Sequence, residues 1–501
     1  MATVSTEPTV SRKTADFVSS LHRNYVDGRF VPAVSGKSFP VYNPATGYVI
    51  ASVPESEAED VNLAVLAARR AFDEGPWPRM SPSERGRLLW KLGDLLEQNL
   101  DEFAELESLD NGKPLYVARV ADVPLAVDMF RYMAGWATKI GGTTLPLSAG
   151  YDYHSYTLRE PIGVVAQIIP WNFPLLMAAW KLAPALTCGC TVILKLAEQT
   201  PLSGLRLAQL IDQAGFPPGV VNILTGFGEG AGAPLAAHDL VDKVAFTGST
   251  EVGKLIVHAA AGNLKKVSLE LGGKSPCIVF PDSPIDLAVS GTASAIFFNH
   301  GQCCCAGSRL YVHEKVFDEV VDGVSRIASS IQLAPGLDAS CQMGPLVSEE
   351  QYRKVVGYIE SGIAEGAHVA AGGPLSGIER GYFVRPTVLT RTNPSMKVVR
   401  EEIFGPVVCA VPFSDKELDQ IVKRANDTVY GLAASVWTQN LGLAHKVARS
   451  LRAGTVWINC HNVFDASLPF GGFKQSGWGR EMGAEVLHNY TETKAVTIAL
   501  N

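Results

Sequence analysis

Between Ser56 and Gln98 apolar and charged residues alternate at helical spacing, as in Asp60-Val-Asn-Leu-Ala-Val-Leu-Ala-Ala-Arg-Arg70. Such a pattern predicts amphipathic helices that pack on something flatter. The flatter partner begins at Ile162. Gly163–Ile169 is a short apolar run, Leu175–Leu186 is helix-like, Thr191–Lys195 is a second run and Leu202–Ala214 a second helix. The alternation continues through Val220–Thr225, a Gly-rich turn, Lys243–Phe246, a helix over Glu251–Ala261 and Lys266–Leu271. Strands alternating with helices of this length predict right-handed βαβ units and a parallel sheet buried on both faces. After Gly273 a second series starts, with strands at Pro276–Phe280 and Val407–Pro412 and helices near Asp286–Phe298 and Glu314–Leu333. Thr143–Arg159 is polar and alternating, which suits a projecting antiparallel hairpin, and Thr491–Leu500 reads as a strand. Protruding strands of this kind are candidates for pairing between subunits.

Length and composition agree with a globular α/β chain of several domain-sized units. The 501 residues are 47% apolar, with 47 Gly and 30 Pro and no low-complexity run. The formal charge of -7 offers no electrostatic footprint for nucleic acid or an anionic membrane, so the expected partner is a small molecule. Pro161–Leu196, the most apolar stretch, is interrupted by Pro170, Asn172, Pro174, Lys181 and Pro184, short of the roughly 20 uninterrupted residues that a membrane helix needs. Met1–Ser20 is rich in Ser and Thr but carries Glu7 and Asp16, and reads as a frayed tail without a targeting signal. Nine cysteines, three of them adjacent, suit reduced thiols in a cytoplasmic compartment; none has zinc-ribbon spacing and no metal is expected.

The sharpest chemical signal is Gly301-Gln-Cys-Cys-Cys-Ala-Gly-Ser-Arg309. A thiol attacks carbonyls well because, with a free pKa near about 8.5, a few per cent is thiolate at neutral pH. Spacing alone leaves open which of the three is reactive, and a buried cysteine is otherwise a small hydrophobe. Asn172, in Pro170-Trp-Asn-Phe-Pro174, follows the first strand of the parallel sheet, at the strand end where ligands bind. Its amide could donate to an oxyanion or simply satisfy a turn between prolines. Glu270 in Glu-Leu-Gly-Gly-Lys274 ends another such strand, as a general base or a solvated carboxylate. Gly226-Phe-Gly-Glu-Gly-Ala-Gly232 lacks the spacing of a dinucleotide loop and reads as a turn and helix start. Phe246-Thr-Gly-Ser-Thr250 is a better anion site, because Gly248 and Gly253 bracket a helix start where Ser249 and Thr250 offer hydroxyls beside free N–H groups. Lys195 and Glu198 lie just past the second strand, where acidic residues take a ribose hydroxyl in nucleotide folds.

Seven blocks then converge: Pro-Trp-Asn-Phe-Pro at 170, Lys-Leu-Ala-Glu-Gln-Thr at 195, Phe-Thr-Gly-Ser-Thr at 246, Glu-Leu-Gly-Gly-Lys at 270, Gly-Gln-Cys-Cys-Cys-Ala at 301, Glu-Glu-Ile-Phe-Gly-Pro at 401 and Pro-Phe-Gly-Gly-Phe-Lys at 469. In this order they resemble the aldehyde dehydrogenase superfamily, nearest its broad-specificity NAD-dependent group, over nearly the whole chain. Leu196, where many relatives carry Pro, is a minor departure.

The resemblance implies a Rossmann-type parallel-sheet domain for NAD (1–142 and 161–272), a second α/β catalytic domain (273–484) and a small β oligomerisation arm (143–160 and 485–501) in a homotetramer or homodimer. It places the nucleophile at Cys304, the oxyanion donor at Asn172 and the base for the hydrolytic water at Glu270, with Lys181 and Glu481 as a proton relay behind it. Lys195 and Glu198 would take the adenosine ribose, Glu402 and Phe404 the nicotinamide half, and Trp171, Gly248, Ser249, Gly253, Leu271 and Lys354 the rest of the cofactor. The substrate channel would be lined by Phe173, Met177, Trp180, Phe298, Cys303, Cys305, Phe464 and Phe470, with no charged side chain among them. Cys460-His-Asn-Val-Phe-Asp-Ala-Ser-Leu-Pro-Phe470 is similar to the run in bacterial phenylacetaldehyde dehydrogenases and implies an aromatic aldehyde. A dehydrogenase for aliphatic aldehydes, a cysteine hydrolase or acyltransferase without the dinucleotide, and a catalytically silent use of the fold are the competing readings.

Overall fold

In the computed structural model, residues 10–149, 152–374 and 380–500 are described. The alternation after Ile162 forms the expected sheet. Five parallel strands lie in the order Lys266–Glu270, Lys243–Thr247, Val164–Ile168, Thr191–Lys195, Val221–Leu224. The chain first builds outward from Val164–Ile168 in one direction and then in the other, so the order reverses between Val164–Ile168 and Lys243–Thr247. Loops diverge at such a reversal and leave a crevice at the carboxyl ends of the strands. Three short antiparallel strands that the periodicity did not predict extend the sheet, Asn24–Val26 and Arg29–Val31 at one edge and Gly477–Trp478 at the other.

Helix Pro174–Cys188 covers one face of this sheet, and all its residues are buried. It starts with Pro at its first position, where no helical N–H is lost, and ends on Gly189 at φ 96°. Helix Leu100–Asn111, also outside the expected set, sends Glu107 to the backbone N–H of Leu175 and Asp110 to that of Leu202, so carboxylates close the starts of two helices.

The second sheet has seven strands, with Pro276–Val279 and Arg309–His313 side by side at its centre and only His368–Ala371 antiparallel. Thr491–Ala499 and Tyr153–Pro161, in the two stretches that the sequence marks as protruding strands, pair with each other over nine residues, and Thr144–Leu145 adds a third short strand. The tip of that hairpin, residues 150 and 151, lies outside the described residues. The expected frayed tail is corrected in part: residues 1–9 are outside the described residues, but Arg12–Val18 is a helix whose cap, Ser11, is held by Glu105.

Candidate active site

The crevice at the strand reversal opens into a cavity of about 630 Å³. Trp171, Asn172 and Phe173 reach it from the loop after Val164–Ile168, Gly248 and Ser249 from the end of Lys243–Thr247, and Glu270 and Leu271 from the end of Lys266–Glu270. The second sheet's domain contributes Phe298, the three thiols of residues 303–305, Lys354, Glu402 and Phe404, while Phe464 and Phe470 come from near the carboxyl end. Met177 and Trp180 line it from helix Pro174–Cys188.

Other expected residues lie outside the cavity wall. Lys181 and Glu481 form a buried ion pair at 2.7 Å behind Glu270. Lys195 and Glu198 pair with each other at 3.0 Å. Gly253 is one turn inside helix Thr250–Ala260, where any side chain would collide with Leu271. Its lack of a side chain lets Leu271, itself on the cavity wall, pack against the helix.

The thiols stand on a turn built from backbone that side chains resist. Asn299, His300 and Gly301 take φ of 47°, 59° and 67° in succession, and the first two are not glycine. Residues in that region cost on the order of 1 kcal/mol or more each and persist only where their surroundings hold them. Here Asn299 Nδ2 donates to the carbonyls of Asn172 and Gln302, and Gln302 Oε1 accepts from the N–H of Val347. Cys303 and Cys305 are buried and their sulfurs are 3.3 Å apart; Cys304 alone of the three is partly open. The three form one hydrogen-bonded cluster that favours a single negative charge. Hydrogen bonding from Cys304, then Cys305, pulls Cys303 down, and the same bonds with Cys303 push Cys304 and Cys305 up. The nine cysteines are all free thiols.

Glu270 is buried, its Oε2 has no hydrogen-bond partner, and burial followed by the charge of Glu481 holds its carboxyl well above the usual range. A carboxylate raised in this way is a stronger base at neutral pH. Glycines make its surroundings possible. A side chain at Gly471 would strike Glu270 Oε1 at 2.7 Å, one at Gly273 the carbonyl of Cys304, and one at Gly272 the carboxylate of Glu402. Glu402 Oε1 accepts from the N–H of Gly273 at 2.8 Å, and burial pushes its carboxyl up to about 7. Phe404, at φ 59°, has its carbonyl held by Gln351 and its ring edge-on to Trp171 at 5.2 Å.

Sequence reasoning missed the support beneath Asn172. Asn111 Nδ2 donates to the carbonyl of Trp171, and Lys113 Nζ approaches that of Asn172 at 3.4 Å and the ring of Phe173 at 4.6 Å. Lys113 is fully buried between Asp122 and Glu107. Burial opposes its charge, yet the Asp122 and Glu107 carboxylates overcome this and raise its pKa. Local sequence carries no signal for this set, because its members are brought together by packing alone. Asp122 also borders the cavity, which corrects the expectation of a wall free of charge; its carboxylate is turned to Lys113. Lys113→Met should lower stability by about 3–5 kcal/mol, since it strands two buried carboxylates, while Lys113→Met with Asp122→Leu should recover part of that loss. Unfolding midpoints in guanidinium check the ordering, and equal midpoints for wild type and Lys113→Met would refute it.

Comparison with known proteins agrees with the geometry. Residues 30–496 match the aldehyde dehydrogenase family model. The chain is 51% identical over 476 residues to human mitochondrial aldehyde dehydrogenase, covering 95% of this chain and 91% of that protein. It is 50% identical over 483 residues to the phenylacetaldehyde dehydrogenase of Pseudomonas fluorescens, with 95% and 96% covered. The NAD+ complex of Bacillus cereus aldehyde dehydrogenase superposes with a TM-score of 0.97 at 50% identity, covering 99% of this chain and 100% of that one. The resemblance carried by the seven blocks is therefore correct, and the chain belongs to the aldehyde dehydrogenase family.

Proposed function

We propose that the protein oxidises a hydrophobic aldehyde to its carboxylic acid with NAD, through a thioester on Cys304. The observation that carries this reading is that the one partly open thiol of the cluster shares a cavity with Asn172 and Glu270. The fit of the dinucleotide rests on the other half of the same cavity. Ser249 caps helix Thr250–Ala260, whose free N–H groups and positive end suit a phosphate, and Gly248 lies beside it on the cavity wall. Glu402 and Lys195 with Glu198 would hold ribose hydroxyls, and Trp171 and Phe404 would flank the nicotinamide. Bound there, NAD supplies the acceptor for the hydride.

The chain's own residues do the remainder. Cys304 thiolate adds to the carbonyl carbon. Asn172 Nδ2 gives one hydrogen to the carbonyl of Gln302 at 3.0 Å, leaving its second N–H for the oxygen that gains charge. Glu270 then removes a proton from water as it attacks the thioester, and the acid leaves.

Support for a hydrophobic substrate lies in the aromatic wall. Phe173 stacks on Phe298 at 6.2 Å, and Trp180, Phe464 and Phe470 pack mutually at 5.6–6.2 Å. Each added methylene or ring edge is worth about 1–3 kcal/mol of discrimination in such a pocket, so phenylacetaldehyde and hexanal should exceed acetaldehyde at least about tenfold in kcat/KM. Followed by reduced-nicotinamide absorbance at saturating NAD, a preference for betaine aldehyde or succinic semialdehyde would overturn the apolar reading, and hexanal above phenylacetaldehyde would overturn only the aromatic one. No absorbance growth with any aldehyde would remove the dehydrogenase reading. We also propose that the exposed arm strand Thr491–Ala499 joins subunits, its free edge and the outward Ile498 being the feature that supports this.

A further inference from the structure

Beneath Glu270 the parallel sheet carries polar side chains where a buried face is ordinarily apolar. Residues two apart on a strand share a face, about 6.6 Å from one to the next. The register sets Thr247 beside Glu270, Ala245 beside Ser268 and Gln167, and Lys243 beside Lys266 and Val165. Glu270, Ser268, Gln167 and Lys243 therefore line one face, descending from the cavity. Above them lie the Lys181–Glu481 pair and Tyr490.

Lys243 is 1% exposed and forms no ion pair among the described residues. Its Nζ donates to Ser268 Oγ at 2.9 Å and sits 5.3 Å from the centre of the Tyr490 ring. An ammonium buried without a counter-ion is costly, and the group avoids that cost by giving up its proton. Burial pushes Lys243 down to about 7; of the groups that face it, Glu481 and Cys190 draw it up while Lys181 and Lys266 push it further down. Along the same face Glu270 Oε2, Glu481 Oε2, Gln167 Oε1 and Tyr490 Oη are buried with no protein partner. Polar atoms so placed take ordered water. At the lower end, Lys266 is exposed beside Lys243 in register, paired with Glu492 of the arm.

We propose that Lys243 takes up the proton that Glu270 collects from the hydrolytic water, by way of Glu481, Lys181 and ordered water, and passes it to solvent at the Lys266 end. The inference rests on Glu270 being the base. When water attacks, its O–H bond breaks, its oxygen bonds the acyl carbon and the proton rests on Glu270. The carboxyl O–H of Glu270 then breaks as an N–H forms on Lys243, which changes from amine to ammonium; no electrons are exchanged with any redox partner. Lys243 acts through Glu481 and Lys181 and does not touch the reacting atoms.

The test follows the pre-steady-state burst of reduced nicotinamide and the steady-state kcat from pH 5.5 to 9 with NAD and phenylacetaldehyde or the best aldehyde found. In the wild type, kcat should rise through pH about 7 as Lys243 becomes a free amine. Lys243→Met should keep the burst and the KM for NAD, lower kcat about tenfold at pH 7.5 and lose that inflection. Ser268→Ala removes an acceptor that favours the ammonium, so its inflection should move to lower pH. That variant also decides the matter if Lys243→Met does not fold. A Lys243→Met profile superimposable on the wild type, or an inflection unmoved in Ser268→Ala, would overturn the proposal. Glu270→Gln, run alongside, should burst and stall; its failure to do so would instead remove the assignment of the base.

Discussion

Cys304→Ser should lower aldehyde turnover by at least about 10⁴-fold, while the cofactor half of the cavity still holds NAD. The expected loss is large because a hydroxyl has no accessible anion at neutral pH, whereas a thiol yields some reactive thiolate even when its neighbours push it up. The substitution keeps the size of the side chain and leaves the left-handed turn at Asn299–Gly301 in place, so NAD binding, followed by fluorescence titration, should change little. Cys303→Ser and Cys305→Ser should each lose less than about tenfold, because both side chains are buried and serve as donors or acceptors to the cluster. Cys305 also donates to Asn462 Oδ1 at 3.3 Å, a bond that a serine hydroxyl can reproduce. An inactive Cys303→Ser beside a fully active Cys304→Ser would move the nucleophile to Cys303.

Asn172→Ala should lower kcat by about 10²–10³-fold, equivalent to about 3–4 kcal/mol, with a smaller change in KM. The reasoning depends on what holds the residue. Its backbone carbonyl accepts from Asn299 Nδ2 at 3.0 Å and lies near Lys113, and its neighbour Trp171 is held by Asn111. Truncating the side chain therefore removes a donor without releasing the loop. The ground-state aldehyde gains little from that donor, while the oxyanion formed on thiol addition gains much, so the burst rate should fall as steeply as kcat. A burst of wild-type rate in Asn172→Ala would show that the amide serves only to satisfy the turn.

Regular structure was most legible where a short apolar run or a helical apolar stripe is bounded by turn residues. Thr191–Lys195 and Leu202–Ala214 lie where the periodicity places them, and Val164–Ile168, Lys243–Thr247 and Lys266–Glu270 differ by a residue or so at their ends. Arg309–His313, with only three apolar residues between Arg and His, was not predicted, although every residue of it is buried. Arg309 is satisfied there by the carbonyls of Lys274 and Ala425, which are distant in sequence. The short edge strands near residue 24 and at 477 are too brief to show a period, and they are formed by pairing with neighbours already in place. In the site, motifs marked the side chains that reach the cavity, since glycines and prolines constrain the turns that carry them. Lys113, Asp122 and Asn111 bear no such mark. Asn111 and Lys113 act on the backbone of Trp171 and Asn172, far along the chain, and Asp122 acts through Lys113; a single sequence does not record such partnerships.

The order in which the chain contributes to the cavity has a consequence for its synthesis. Glu270 and the thiols are made by residue 305, but Glu402, Phe470 and the Glu481 that pairs with Lys181 are not. The Gly477–Trp478 strand that closes the edge of the first sheet beside Leu269 and Glu270 is likewise made long after the thiols. A nascent chain emerging from the ribosome therefore carries its reactive cysteines without these partners until Glu481 has been made. The interval in which those thiols are exposed to electrophiles is set by the elongation from Cys305 to Glu481, at about 5–20 residues per second.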